Sequence, residues 1–182
     1  MTRSLFALIA AAGLLTGTVS ARSKHPSEQT TPPLTRIYVD DTTGDVHLVD
    51  STGKDILVRK WTEAVSDPKI ASDRMTAGWL LEERAGTSYT VPQAIAIYRS
   101  DKVVRTFIPS DWPMIIAWAF FASGKQVGFS SSALHGAESE RRSYELHDVQ
   151  TGRILERWDG QHSGKSPAWV QQLNDVEQRR RR

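Results

Sequence analysis

Along most of the chain, apolar and polar residues alternate in short runs bounded by Asp, Ser, Thr, Gly or Pro. "RIYVD" (Arg36–Asp40), "DVHLV" (Asp45–Val49) and "DILVRKW" (Asp55–Trp61) are the first three. Runs of this length between turn-forming residues predict strands joined by tight connections. Four more follow: "KIA" (69–71), "TAGWLLE" (76–82), "VPQAIAIY" (91–98) and "KVVRTF" (102–107). A third group of four is "AWAFF" (117–121), "QVGFSSS" (126–132), "RSYELHD" (142–148) and "RILERW" (153–158). "SPAWVQQL" (Ser166–Leu173) reads as one further strand, so the pattern predicts twelve, grouped three, four, four and one.

The grouping has a period. "IASDRMTAGW" (70–79) and "FFASGKQVGF" (120–129) superpose at an offset of 50, which sets Ile70 on Phe120, Arg74 on Gly124, Gly78 on Gly128 and Trp79 on Phe129. "LVDSTGKDILVRKW" (48–61) likewise matches "LHDVQTGRILERW" (146–158), with Asp50 on Asp148, Gly53 on Gly152 and Trp61 on Trp158. "IYRSDKVVRTF" (97–107) falls midway, so the copies begin at 48, 97 and 146. Each is a strand, a polar turn and a strand ending on an aromatic ring. Two separate elements that share a period near 50 mark a repeat of β-hairpins, and units of this length with four strands are the signature of propeller blades.

The residues also carry a family resemblance. "FFASGKQVGFS" (120–130) resembles the recurring F-S-P-D-G-K element of TolB-like and WD-repeat β-propellers, and "YELHDVQTGRILERW" (144–158) resembles the element after it. The resemblance spans about Arg36 to Val170. It departs where Ala122-Ser123 replaces Pro-Asp and where Arg74 replaces the glycine of the first copy. It implies an all-β fold, a propeller-like array of about three four-stranded antiparallel blades. It implies no particular chemistry, because those motifs are structural.

Three blades are few for a ring, where four to eight are usual, and the array can be read as half of a six-bladed one. The first group lacks an opening strand, and "SPAWVQQL" at the far end offers one. A two-fold homodimer pairing Ala168–Gln172 of each chain with Arg36–Asp40 of the other would close six blades.

The ends are of different character. Arg3, an apolar run from Leu5 to Val19 and the small residues of "VSA" (19–21) have the form of a cleaved signal peptide over residues 1–21. This predicts export, to the periplasm or beyond, with no stable membrane insertion afterwards. Residues 22–33 read as a flexible polar leader, 34–175 as the repeat domain and 176–182 as a solvated basic tail. The chain has no cysteine, so its 182 residues imply a fold held by its core alone. The formal net charge is +2, but seven basic and two acidic residues lie outside 34–175. The domain itself therefore keeps 16 basic against 19 acidic residues, which argues against a nucleic-acid partner.

Chemical motifs are weak. "GQHSGKS" (160–166) encloses three residues between its glycines where a phosphate-binding loop needs four, and Pro167 follows where that loop leads into a helix. "GFSSS" (128–132) lacks the closing glycine of a hydrolase elbow. The histidines His25, His47, His135, His147 and His162 are scattered, and "DDTTGD" (40–45) lacks the order of a calcium loop and reads as a β-turn. "WPMIIAWAFFA" (112–122) reads as a central blade strand buried on both faces. No catalytic, cofactor or metal residue is nominated. The polar loop "HGAESERRS" (135–143) supplies the candidate binding residues His135, Arg141 and Arg142, suited to an acidic partner. The expected function is a non-catalytic binding or scaffold module for a protein partner. The alternative is a propeller-type hydrolase or lyase with a site built from loops.

Overall fold

A computed structural model describes residues 31–58, 63–85, 89–99, 102–136, 140–160 and 165–182. The expected signal segment and most of the leader lie outside these residues, as do 137–139 of the candidate loop and 161–164 of "GQHSGKS". The described chain is built from β1 (Leu34–Val39), β2 (Val46–Asp50), β3 (Asp55–Val58), β4 (Ala64–Ile70), β5 (Thr76–Ala85), β6 (Tyr89–Arg99) and β7 (Lys102–Phe107). These are followed by β8 (Met114–Phe121), β9 (Gln126–Ser132), β10 (Ser143–Asp148), β11 (Ile154–Trp158) and one helix, α1 (Ala168–Arg180). The strands pair as three antiparallel meanders in the orders β1-β2-β3, β4-β5-β6-β7 and β8-β9-β10-β11. The fold is therefore all-β but for α1, with the first sheet one strand short of the other two.

The repeat survives at atomic detail in the hairpin turns. In the β2–β3 turn the Asp50 carboxylate accepts hydrogen bonds from Thr52 N–H (2.8 Å) and Thr52 Oγ1 (2.6 Å), and Gly53 has φ 84°. In the β10–β11 turn Asp148 accepts from Thr151 N–H and Oγ1, both at 2.7 Å, and Gly152 has φ 75°. Asp40 uses the same device in "DDTTGD", accepting from the N–H groups of Thr42 and Thr43. In the β4–β5 turn Arg74 holds φ 56°, where its repeat partner Gly124 holds 78°. The first copy holds the same conformation without the glycine.

Alternation along each strand sends its apolar residues to two faces, and the faces stack as layers. Leu34, Val46 and Leu48 of the first sheet meet Ala77, Trp79 and Ala96 of the second. The opposite face of the second sheet, through Leu80, Ile95 and Ile97, meets Trp118, Val127 and Phe129 of the third. Gly78 faces this second layer. A Cβ there would lie 2.8 Å from Ile97 Cδ1, 3.0 Å from the Ala96 carbonyl oxygen and 3.1 Å from the Trp118 ring, so the absence of a side chain is what admits the indole.

The far face of the third sheet meets the helix, which corrects the expectation for Ser166–Leu173. That segment is not a twelfth strand. Trp169, Val170 and Leu173 are buried from α1 against Ala119, Tyr144 and Leu146, with Val176 packed alongside. Their spacing of one, three and three residues is helical, and the Ala, Gln, Glu and Arg residues around them favour a helix. A window that stops at Leu173 hides this period. The run read as a solvated basic tail is the end of the same helix, with Arg179 and Arg180 in its last turn, where cations oppose the helix dipole. The reciprocal strand pairing of Ala168–Gln172 with Arg36–Asp40 thus has no strand to offer from one side. β8 differs from expectation too: it is an edge strand of its sheet, covered by the second sheet on one face and by α1 on the other.

The two turn and packing positions should respond in opposite directions to substitution. Gly78→Val, which meets backbone oxygen as well as side chains, should destabilise by about 1–3 kcal/mol through overpacking. Arg74→Gly should stabilise by about 0.5–1 kcal/mol by removing left-handed strain at an exposed turn. Chemical denaturation of the two variants against the parent measures both.

Candidate functional site

The sequence-nominated residues do not form one site. Arg141 and Arg142 line a groove of about 450 Å³ together with Ser110, Asp111, Trp112 and Asp159. Arg142 is engaged within the fold: its Nη2 lies 3.5 Å from Glu177 Oε1 on α1, so it ties the loop to the helix. His135 is placed elsewhere, with its Nε2 2.7 Å from the Tyr89 hydroxyl. Ser130 and Ser131 are buried in β9, and neither hydroxyl bonds a base among the described residues. No cluster of three or more His, Cys, Asp or Glu that could hold a metal occurs among the described residues.

A larger groove, of about 730 Å³, opens between β4, β8 and α1, at the first-strand edges of the second and third sheets. β4 reaches it through an irregularity. Pro68 cannot donate to a ladder, which confines it to an edge strand. The β4–β5 register shifts between Ser66 and Lys69, and Asp67 takes φ 48°. The bulge turns the Asp67 carboxylate toward Lys69 Nζ, at 2.9 Å, and into direct contact with the Arg180 guanidinium. Lys69 crosses the groove with its ammonium 4.3 Å from the centre of the Trp118 ring and donates to the Trp118 carbonyl at 2.7 Å. Arg180 reaches the Ile116 carbonyl at 3.1 Å.

The electrostatics follow from this packing. Burial pulls the Lys69 ammonium down to about 8, and the nearby Arg179 guanidinium adds to the effect. Burial also lowers Arg180 from its ordinary value. The floor is aromatic, supplied by Trp118, Phe120 and Phe121. Asp67, Ala122 and Ser123 line the groove and are three of the four described non-glycine residues with left-handed φ. Ala122 and Ser123 take it as the β8–β9 hairpin turn, and Asp67 takes it at the β4 bulge. This chemistry was missed in the sequence: the expected run "KIA" began after Pro68, whereas β4 starts at Ala64 and carries Pro68 within it.

A second buried polar pair sits in the layer between the second and third sheets. Glu145 is fully buried, its Oε2 2.7 Å from His147 Nε2 and its Oε1 accepting from Ser110 N–H at 2.9 Å. His147 stacks on Phe129 with ring centres 5.2 Å apart, which fixes the imidazole. Burial pushes the Glu145 carboxyl up, but the hydrogen bonds from His147 and Ser110 outweigh it and hold the group below its ordinary 4.5. A carboxyl depressed on folding contributes stability above its unfolded value, and that contribution is lost as pH falls through the lower folded value. Glu145→Gln should therefore cost about 1–3 kcal/mol at neutral pH. The difference from the parent should shrink on acidification below the ordinary carboxylate range, as thermal melts across pH will show.

No protein-family model matches the chain, and no curated protein matches it either. Among solved structures 26 chains match, one of them hydrazine synthase of Kuenenia stuttgartiensis. It is 23% identical over 68% of this chain and 33% of that chain, with a TM-score of 0.41. This chain thus spans about a third of that one, and a likeness so loose carries no argument about fold or function.

Proposed function

We propose that the protein is an exported, non-catalytic, β-propeller-like module that binds a protein partner through the groove between β4, β8 and α1. The observation that carries the reading is the groove itself, a concave site with an aromatic floor and cationic walls, on rigid strands. Export rests on the form of residues 1–21. The propeller-like reading is supported by the three stacked meanders, by the Asp-Thr-Gly turns shared by the first and third sheets, and by the resemblance of 120–158 to TolB-like and WD-repeat blades. α1 occupies the face on which a further blade would stack, and this favours a capped array over half of a six-bladed ring. It also favours a different protein over a second copy as the partner, since Ala168–Gln172 is helical.

Gln172 is exposed on α1 and lines the groove, so a large side chain there fills the space without entering the core. Immobilised parent protein should retain a partner from the exported fraction of its own cell. Gln172→Trp, with an unchanged melting temperature, should retain it at least about tenfold less. Equal retention by both proteins would remove the groove from the binding account.

A further inference from the structure

The groove's own charges and walls point to the class of group it takes, an inference that rests on the groove being the binding site. We propose that it receives a carboxylate carried beside a flat apolar group, as an acidic side chain next to an aromatic residue or an aromatic chain end would present it.

The charge argument starts from Asp67. Its carboxylate is shared by Lys69 and Arg180, and it is the one acidic group among the described lining residues. Three cationic side chains, Lys69, Arg179 and Arg180, line the groove with it. Lys69 and Arg180 are partly spent on the carbonyls of Trp118 and Ile116. Arg179 is not: its Nε donates to the Asp175 carbonyl at 3.2 Å, and it makes no ion pair with a carboxylate among the described residues. Asp67 offsets the charge of Lys69 but not that of Arg179, whose guanidinium still disfavours the charged Lys69, and an arriving anion relieves that repulsion. A carboxylate suits this, because its two coplanar oxygens match a guanidinium.

The walls select against a bare anion. Phe120 and Phe121 of β8 and Val176 of α1 are partly exposed at the groove, and the Trp118 indole lies beneath Lys69. A phosphate is polar on every side of its tetrahedron and needs hydrogen-bond partners all round, whereas this lining offers cations on one side and hydrocarbon on the other. A carboxylate with a ring behind it matches both sides. Binding should also take up a proton near pH 8, because a bound anion favours the charged form of Lys69 over the neutral form that burial favours. Affinity should then fall as pH rises above that value.

Calorimetric titration of the whole protein tests this with benzoate as the probe, benzamide as its uncharged isostere and inorganic phosphate as the bare anion. Benzoate is expected to bind about tenfold or more tightly than either at pH 7, several-fold more weakly at pH 9, and about tenfold more weakly to Arg179→Gln. The melting temperature of that variant should match the parent's, since Arg179 is exposed. Benzamide or phosphate binding as tightly as benzoate, or an Arg179→Gln variant that binds benzoate like the parent, would overturn the proposal. If Gln172→Trp loses the protein partner while benzoate fails to bind, the ligand class is wrong and the binding reading stands. If benzoate binds as expected while Gln172→Trp retains the partner in full, the carboxylate site holds and the protein-binding reading falls.

Discussion

The structure depends on the approach of two sheets across Gly78. A β-sheet with one residue in two pointing to each face cannot stand alone in water, and these sheets are narrow. They become stable by stacking, and stacking works only where the facing side chains interlock. At Gly78 the second sheet presents no side chain, and the Trp118 ring of the third fills the space. Trp118 is fully buried there and also forms the surface over which Lys69 lies. One close contact thus sets the distance between the sheets and the floor of the groove at their edge.

A stack of three leaves two end faces, and repeat arrays need them covered or polar. The two ends are treated differently. Strand register places Gly128 where Gly78 stands in the preceding sheet. A Cβ there would meet Phe121 and Leu146 on the face that α1 covers, so the helix takes the position of a next sheet. At the other end the first sheet turns Arg36, Tyr38, His47 and Asp55 outward. Tyr38 and His47 stack with ring centres 4.9 Å apart. Asp55 accepts from the Tyr38 hydroxyl at 2.7 Å, and its other oxygen lies 2.9 Å from His47 Nδ1. In register, His47 pairs with Tyr38 as Glu145 pairs with Phe129 in the third sheet. The same position is a buried hydrogen-bonded pair between sheets and a solvated stack at the end of the array.

This explains which parts of the molecule could be read from the sequence. Strands, turns and the repeat were legible because alternation and the Asp-Thr-Gly turns are local: β9 runs over the expected Gln126–Ser132, and the three-strand first sheet was visible as a missing run. The helix was not, because Trp169 and Val170 are adjacent and a window that stops at Leu173 cannot separate a strand from a helix until Val176 is included. The groove was still less visible. Asp67, Lys69, Trp118 and Arg180 are spread over more than a hundred residues and meet only through sheet stacking and the docking of α1. The loop arginines looked more eligible because they are adjacent in sequence, yet Arg142 is held by Glu177 within the fold.

The polar links that dock the helix are also the charges of the groove. Apolar burial of Trp169, Val170 and Leu173 supplies the main attraction between α1 and the third sheet, and it tolerates rotation of the helix about its own axis. Directional contacts remove that freedom. Tyr144 donates to Asn174 at 2.8 Å, Arg142 meets Glu177, and Arg180 joins Asp67 and the Ile116 carbonyl. The last of these spans from the second sheet to the helix, and it can do so only because the β4 bulge holds Asp67 in a left-handed conformation. A bound anion would therefore act on the same charges that fix the helix. If the groove takes an anion, its occupancy and the seating of the cap would be linked through Arg180, which serves both.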